Sequence, residues 1–271
     1  MNDDNKYVIF NGKKLAISKF SLTMMANHPA IILVAKRRSG KSWVCRDILR
    51  HYRGKLPVGI IIAQSEKLQE PFYSEFFADS YIYYKYDDKI LKKLFSRQEK
   101  IIEKQKQTKE KNIKINPGAF LLMDDCLADK GSWANDPLIY ELMYNGRHYK
   151  ILFMLTMQTP LGIKPDLRSN FDYFFLLADD TENHMKKLYE NYAGMFKSVK
   201  EFRSVFKQLT VDHQAMVVAN VAADKPFKEK VFWYKATDSK IGMICCNQLN
   251  NYHTNNYDTE WKKKNQIFNI T

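Results

Sequence analysis

The sequence has no long apolar run. None approaches the roughly 20 residues that a membrane-spanning helix needs, so no bilayer-crossing segment is expected. Cysteine is sparse. Cys45, Cys126, Cys245 and Cys246 are the whole set, without a C-x-x-C pair, and the adjacent pair is a poor disulfide. No structural zinc is expected, and the chain suits a reducing compartment. The opening "MNDDNKYVIF" is acidic and polar, unlike a signal peptide. There is no internal repeat and no long Gly/Ser linker. The 271 residues, 45% hydrophobic, therefore read as one sizeable core or one domain with appendages. Acidic residues are in deficit, 30 against 43 basic, for a net charge of +13. Such a balance points to a polyanionic partner, nucleic acid before an anionic membrane. The alternative is a basic solvated surface.

What is present is a series of short, branched apolar runs. "AIILVA" (30–35), "VGIIIA" (58–63), "AFLLMDDC" (119–126), "ILFMLTMQ" (151–158) and "YFFLLA" (173–178) suit strands buried on both faces of a parallel sheet. "YVIF" (7–10) reads as a short strand followed by a turn, and "YIYYKY" (81–86) as an edge strand. Helical spacing is predicted over 40–52, 88–104, 181–193 and 197–208. "NDPLIYELMYNGRHYK" is a further helix, capped by Asn135 or Asp136, with Pro137 in its first turn and Gly146 at a left-handed C-terminal position. "KQKQTKEKNIK" (104–114) loses periodicity and reads as a mobile basic loop or frayed helix end. "QAMVVANVA" and "KVFWYKA" form a late hairpin or edge strands. Residues 1–237 make the domain, and 238–271 form a polar, loosely ordered tail. Alternating strands and helices give an α/β fold with a mostly parallel central sheet flanked by helices.

The most informative stretch follows the first buried strand: "AKRRSGKSW". A phosphate-binding loop reads G-x-x-x-x-G-K-[ST]. Ala35 stands at the first glycine's place, and Gly40, Lys41 and Ser42 match the rest. Strand, loop and helix come in the order this motif needs. Backbone N–H groups at the helix start would face phosphate oxygens. Lys41 would reach the β- and γ-phosphates, and Ser42 would hold magnesium. Lys36, Arg37 and Arg38 add positive charge, and Ser39 completes the loop.

Such a loop needs an acidic strand end. In "FLLMDD", Asp124 would hold the metal and Asp125 would polarise the attacking water. An extra strand (58–63) lies between the two motifs. NTPases of that layout usually carry Glu after the Asp, and Asp125 is one methylene shorter. Gln158 ends the fourth strand, where a polar side chain can sense the γ-phosphate. Arg147, with His148 beside it, follows the helix ending at Gly146; its guanidinium could act on a neighbouring subunit's nucleotide or merely cap the helix. Arg168 is the second candidate for that role, and His148 reads as structural.

The set "KRRSGKS", "FLLMDDC", "NGRHYKI", "MQTP", "SNFDYFFLL" and "VFWYKA" resembles the DNA-packaging ATPases of large double-stranded DNA viruses, the poxvirus-type branch of the FtsK/HerA superfamily. The resemblance spans about residues 20–237. It implies a RecA-like ASCE domain with strand order 5-1-4-3-2, with ATP and Mg²⁺ as cofactors. It further implies a homo-oligomeric ring, pentamer or hexamer, with sites between subunits. Double-stranded DNA would be translocated into a preformed capsid through a portal-like vertex, in the host cytoplasm (the viral factory), with the virion as a second location. Arg147 matches the arginine-finger position and Gln158 the polar sensor. No nuclease motif is evident. The alternatives are a helicase-like DNA-remodelling ATPase, a small-molecule or nucleoside kinase, and a non-hydrolysing DNA-binding, capsid-associated scaffold, which Ala35 and Asp125 keep open. The basic stretch from Lys85 to Lys114 reads as a DNA or partner surface or as a solvated helix.

Overall fold

Five of the branched apolar runs become strands whose residues are almost all buried. In a computed structural model, residues 5–10, 12–68, 71–109, 113–126, 130–220 and 225–258 are described. The strands are β1 (Asn5–Phe10), β2 (Lys13–Ser18), β3 (Ala30–Val34), β4 (Val58–Ala63), β5 (Ile82–Tyr83), β6 (Ala119–Asp124), β7 (Ile151–Met157), β8 (Tyr173–Leu177), β9 (Ala215–Ala219) and β10 (Val231–Tyr234). The helices are α1 (Lys41–His51), α2 (Ser65–Leu68), α3 (Asp88–Lys109), α4 (Lys130–Trp133), α5 (Pro137–Asn145), α6 (Pro165–Arg168), α7 (Glu182–Tyr192), α8 (Val199–Leu209) and α9 (Asn247–Asn256). β1 and β2 make an antiparallel hairpin; the sequence pattern had shown only its first strand. The other strands form one mixed, mostly parallel sheet in the order β10-β9-β8-β3-β7-β6-β4-β5. Its five central members, β8-β3-β7-β6-β4, are the 5-1-4-3-2 order that the family resemblance implies.

The chain divides into two compact units, Met1–Ile48 with Met154–Asp238, and Leu49–Phe153 with Ser239–Thr271. In the first, β3 and β8 pair in parallel, Ile31 opposite Tyr173, and β8, β9 and β10 continue antiparallel. Phe20 sits among Tyr173, Phe175 and Phe232, with ring centroids 5.4–5.7 Å apart, a geometry that adds to plain area burial. "SNFD" staples the strand starts. Asp172 Oδ2 accepts from Ala30 N at 2.9 Å, and Asn220 Nδ2 donates to Phe171 O at 2.9 Å.

In the second unit, β4 pairs in parallel with β6, Val58 opposite Ala119, and with the edge strand β5. α3 runs through Lys109, so of the two readings of "KQKQTKEKNIK", loop or helix end, its first part is helix. Residues 110–112 of that stretch lie outside the described residues. The reason is tertiary: Gln105 Nε2 donates to Ile115 O at 2.9 Å, and buried Gln98 bridges Pro117 O and Tyr149 O at 2.8 and 2.6 Å. Propensity is a weak prior against such anchors. Asp136 caps α5, its Oδ1 accepting from Leu138 N, with Pro137 next. Gly146, however, is right-handed (φ −51°). The chain keeps coiling through Tyr149, and the left-handed residue is Lys150 (φ 58°), just before β7. Glycine is needed at 146 for closeness, since a Cβ there would lie 2.5 Å from Leu142 O. In the C-terminal segment, Ile244 is buried and donates to Phe76 O at 2.9 Å, Cys246 donates to Pro57 O at 2.9 Å, and α9 follows.

Candidate nucleotide-binding site

In the first unit, β3 feeds the loop 35–40, which turns into α1. The loop has positive φ at two residues, Arg38 (61°) and Gly40 (95°). The second value needs glycine. Ala35 has no such need: it is buried, and its amide donates to Met157 O at 2.9 Å, prolonging the ladder beyond β3. The missing first glycine therefore costs the turn nothing. Ser39 Oγ closes the loop on Lys36 O at 2.6 Å. Lys41 and Ser42 open α1; Lys41 is 7% exposed, and Val44 N already donates back to Gly40 O. The first-turn amides of a helix point along its axis to an anion, with the dipole in favour. His213, from the turn before β9, rests on Gly40: a Cβ there would be 3.5 Å from its own Cβ.

The basic run is divided. Lys36 turns to an acid pair at the end of β8, Asp179 at 3.2 Å and Asp180 in direct hydrogen bond. Asp180 first, then Asp179, hold its ammonium above the usual lysine range. Burial pushes the Asp179 carboxyl up, but Thr181 N–H, His184 and Lys36 together bring it below the ordinary value. Arg37 and Arg38 are exposed. The acid pair was missed in the sequence, although "LLADD" repeats the pattern of an apolar strand ending in two carboxylates.

α1 is clamped from below. Asp47 is 3% exposed and accepts from Tyr234 Oη at 2.5 Å, Thr237 N at 3.0 Å and Thr237 Oγ1 at 2.9 Å. Thus "VFWYKA" and the residue after it anchor the helix that carries Lys41 and Ser42. Gln158 follows Met157 directly, half-buried, one residue past the carbonyl that receives the Ala35 amide. Arg168 is buried: it bonds Asn191 Oδ1 and lies over the Tyr192 ring, 5.7 Å from its centroid. A side chain so engaged is not available to a neighbouring subunit.

In the second unit, Asp124 ends β6 and is 2% exposed. The buried Tyr73 hydroxyl donates to its Oδ2 at 2.8 Å. Asp125 takes a left-handed turn (φ 53°) straight after the strand and is half-buried. Asp tolerates that conformation better than most residues. Trp133 Nε1 pins the next carbonyl, Cys126 O, at 2.8 Å. Arg147 and His148 are exposed in the turn after α5.

Ser42, in the first unit, and Asp124, in the second, each offer an oxygen of the hard kind that magnesium takes together with substrate phosphates. Among the described residues no cluster of three His, Cys, Asp or Glu forms a dedicated metal cage. When bound, such an ion would neutralise phosphate charge. Among the described residues, no helix is long and apolar enough to cross a membrane.

No family model matches the chain. The uncharacterized protein L437 of Acanthamoeba polyphaga mimivirus is 45% identical over 251 residues, 93% of this chain and 87% of that one. The uncharacterized protein 075L of Invertebrate iridescent virus 6 is 32% identical over 86% of this chain and 88% of its own length. The chain belongs to this family. Its members occur in large DNA viruses, as the resemblance in sequence implied. Among solved structures, the genome packaging NTPase B204 of Sulfolobus turreted icosahedral virus 2, in complex with sulfate, matches with a TM-score of 0.53 at 17% identity, covering 80% of this chain and all of that one. Its complex with AMPPCP matches at 0.52, with 17% identity over 79% of this chain and all of that one. At such identity the likeness speaks for the fold alone, and this family member shares the RecA-type P-loop NTPase fold.

Proposed function

We propose that the chain is an ATP-hydrolysing motor that moves viral double-stranded DNA into a preformed capsid. The observation that carries the reading is the loop itself: a positive-φ Gly40 and a buried Lys41 at the start of α1, straight after β3, an interior strand of the sheet. One solved neighbour with this fold is a genome packaging NTPase in complex with AMPPCP. In this reading the backbone of residues 35–42 holds the phosphates. Lys41 takes the β- and γ-phosphates, and Ser42 and Asp124 hold Mg²⁺. Asp125 orients water and Gln158 senses the γ-phosphate. Arg147 acts on the nucleotide of the next subunit in a homo-oligomeric ring, a role Arg168 is too buried to fill. Such a guanidinium is worth about 10³–10⁵ in rate. The net charge of +13 suits a phosphate-tracking, sequence-independent grip on DNA that weakens with salt. The capsid vertex and the host cytoplasm complete the proposal as partner and place.

The test is steady-state ATP turnover with and without long duplex DNA, at low and moderate salt, for wild type and Lys41→Ala. Turnover that rises with duplex DNA and disappears in Lys41→Ala supports the motor. Absence of turnover at ring-forming protein concentrations points instead to the binding scaffold.

A further inference from the structure

Tyr73 lies outside every motif in the sequence. It belongs to the segment that follows α2, and its ring is 1% exposed. Its hydroxyl donates to Asp124 Oδ2 at 2.8 Å. A buried hydroxyl is costly unless paired, and an apolar ring would fill the same slot without that demand. The segment is also held from two sides. Glu66 Oε1 accepts from Phe72 N at 2.9 Å and Tyr73 N at 2.8 Å. Three residues on, Phe76 O accepts from Ile244 N of the C-terminal segment at 2.9 Å. Phe72 and Phe76 pack edge-on against Tyr73, with centroids 5.1 and 6.0 Å from its own, Phe76 being itself buried. The phenol therefore has little freedom to leave the carboxylate.

We propose that Tyr73 is a positioning residue for the metal carboxylate: it fixes the plane of Asp124, so that the carboxylate meets Mg²⁺ already oriented. This rests on the reading of Asp124 as the metal ligand. The logic is that of outer-shell groups generally, which restrict a ligand's rotation and whose loss costs about 10–100-fold in metal affinity or activity. Tyr73 touches neither substrate nor metal in this role; it acts through Asp124.

The experiment uses the full chain, a fluorescent non-hydrolysable ATP analogue, and Mn²⁺ as the metal probe. Nucleotide binding is measured without metal and across a Mn²⁺ titration for wild type, Tyr73→Phe, Asp124→Asn and the double variant. Tyr73→Phe is expected to need about tenfold more Mn²⁺ for half-saturation, with metal-free binding within about twofold of wild type. In the double variant the Mn²⁺ response should equal that of Asp124→Asn alone, because a residue acting through Asp124 has nothing left to act on. An unchanged Mn²⁺ midpoint in Tyr73→Phe, or additive losses in the double variant, overturns the proposal. Should Tyr73→Phe fail to fold, Glu66→Ala removes the acceptor that holds Phe72 N and Tyr73 N and leaves the ring: a higher midpoint supports the proposal, and an unchanged one overturns it. The two readings fail differently. No Mn²⁺-dependent binding in wild type removes both, whereas a wild type that differs from Asp124→Asn but not from Tyr73→Phe removes only this one.

Discussion

Two residues depart from the usual NTPase pattern, and the structure treats them differently. Ala35 replaces a glycine whose conformational freedom this loop does not use, since the turn is made at Arg38 and Gly40. Restoring the glycine should only add unfolded-state freedom. Ala35→Gly is expected to lower stability by about 0.5–1 kcal/mol and leave nucleotide affinity unchanged, as read from a urea midpoint and a binding titration. Asp125 stands where such NTPases usually carry a longer glutamate, and its backbone takes a left-handed turn (φ 53°) immediately after Asp124. Asn adopts this conformation as readily. Asp125→Asn should therefore fold like wild type and bind nucleotide normally, while kcat falls by about 10²-fold or more for want of a base. A kcat that stays at the wild-type value would remove Asp125 from the chemistry.

At the scale of elements, α1 is the piece on which the site depends, and its anchor is remote in sequence. Tyr234 and Thr237 reach Asp47 across 187 and 190 positions. Removing one donor from a buried carboxylate costs about 1–3 kcal/mol. Tyr234→Phe should lose stability on that scale, seen in the urea midpoint, with bound nucleotide recovering part of it by mass action. The loop's other tie is the Lys36–Asp179–Asp180 cluster. The depressed Asp179 pKa means that its stabilisation is complete above the unfolded carboxylate value, near 3.9, and is lost as pH falls through the folded value. Asp179→Asn should therefore be less stable than wild type at neutral pH, with the gap closing below about pH 4. Chemical unfolding at a series of pH values between neutrality and acid measures this. Local punctuation was legible at this scale: the Asp136 cap and Pro137 follow from short-range rules. The Gly146 reading failed because the same residue type serves both a left-handed cap and a close approach, and only the path of the next four residues distinguishes them.

At the scale of the whole molecule, the proposed function calls for a second copy to complete the site. Arg147 is exposed in the turn after α5, while Arg168 is held by Asn191 and Tyr192. Arg147→Ala should bind ATP as wild type does and lose about 10³-fold or more in turnover. Mixed with Lys41→Ala, which offers an intact arginine but no nucleotide, it should regain part of that rate, because an Arg147→Ala subunit can then be served by a neighbour. Mixing that restores nothing, with rings shown to form, would place the arginine's action within its own subunit or outside catalysis. Duplex stimulation should also fall steeply between low and moderate salt if the grip is to phosphates.

Much of the molecule was decided locally. Continuous branched runs have nowhere to go but the inside of a parallel sheet, and "SGKS" after such a run needs only a strand before it and a helix behind it to form a tight turn into a helix N-terminus. These are properties of neighbouring residues, and the sequence alone determined them. The tertiary structure decided which distant residues support them: Tyr73 on Asp124 from 51 positions away, Asp180 on Lys36 from 144, Tyr234 on Asp47 from 187. It also decided that the first positive charge of "KRR" is spent on an ion pair and that Arg168 is buried. No periodicity links such pairs. They meet only because the sheet order brings strand ends together, and that order is set by burial over the whole chain, not by any short stretch of it.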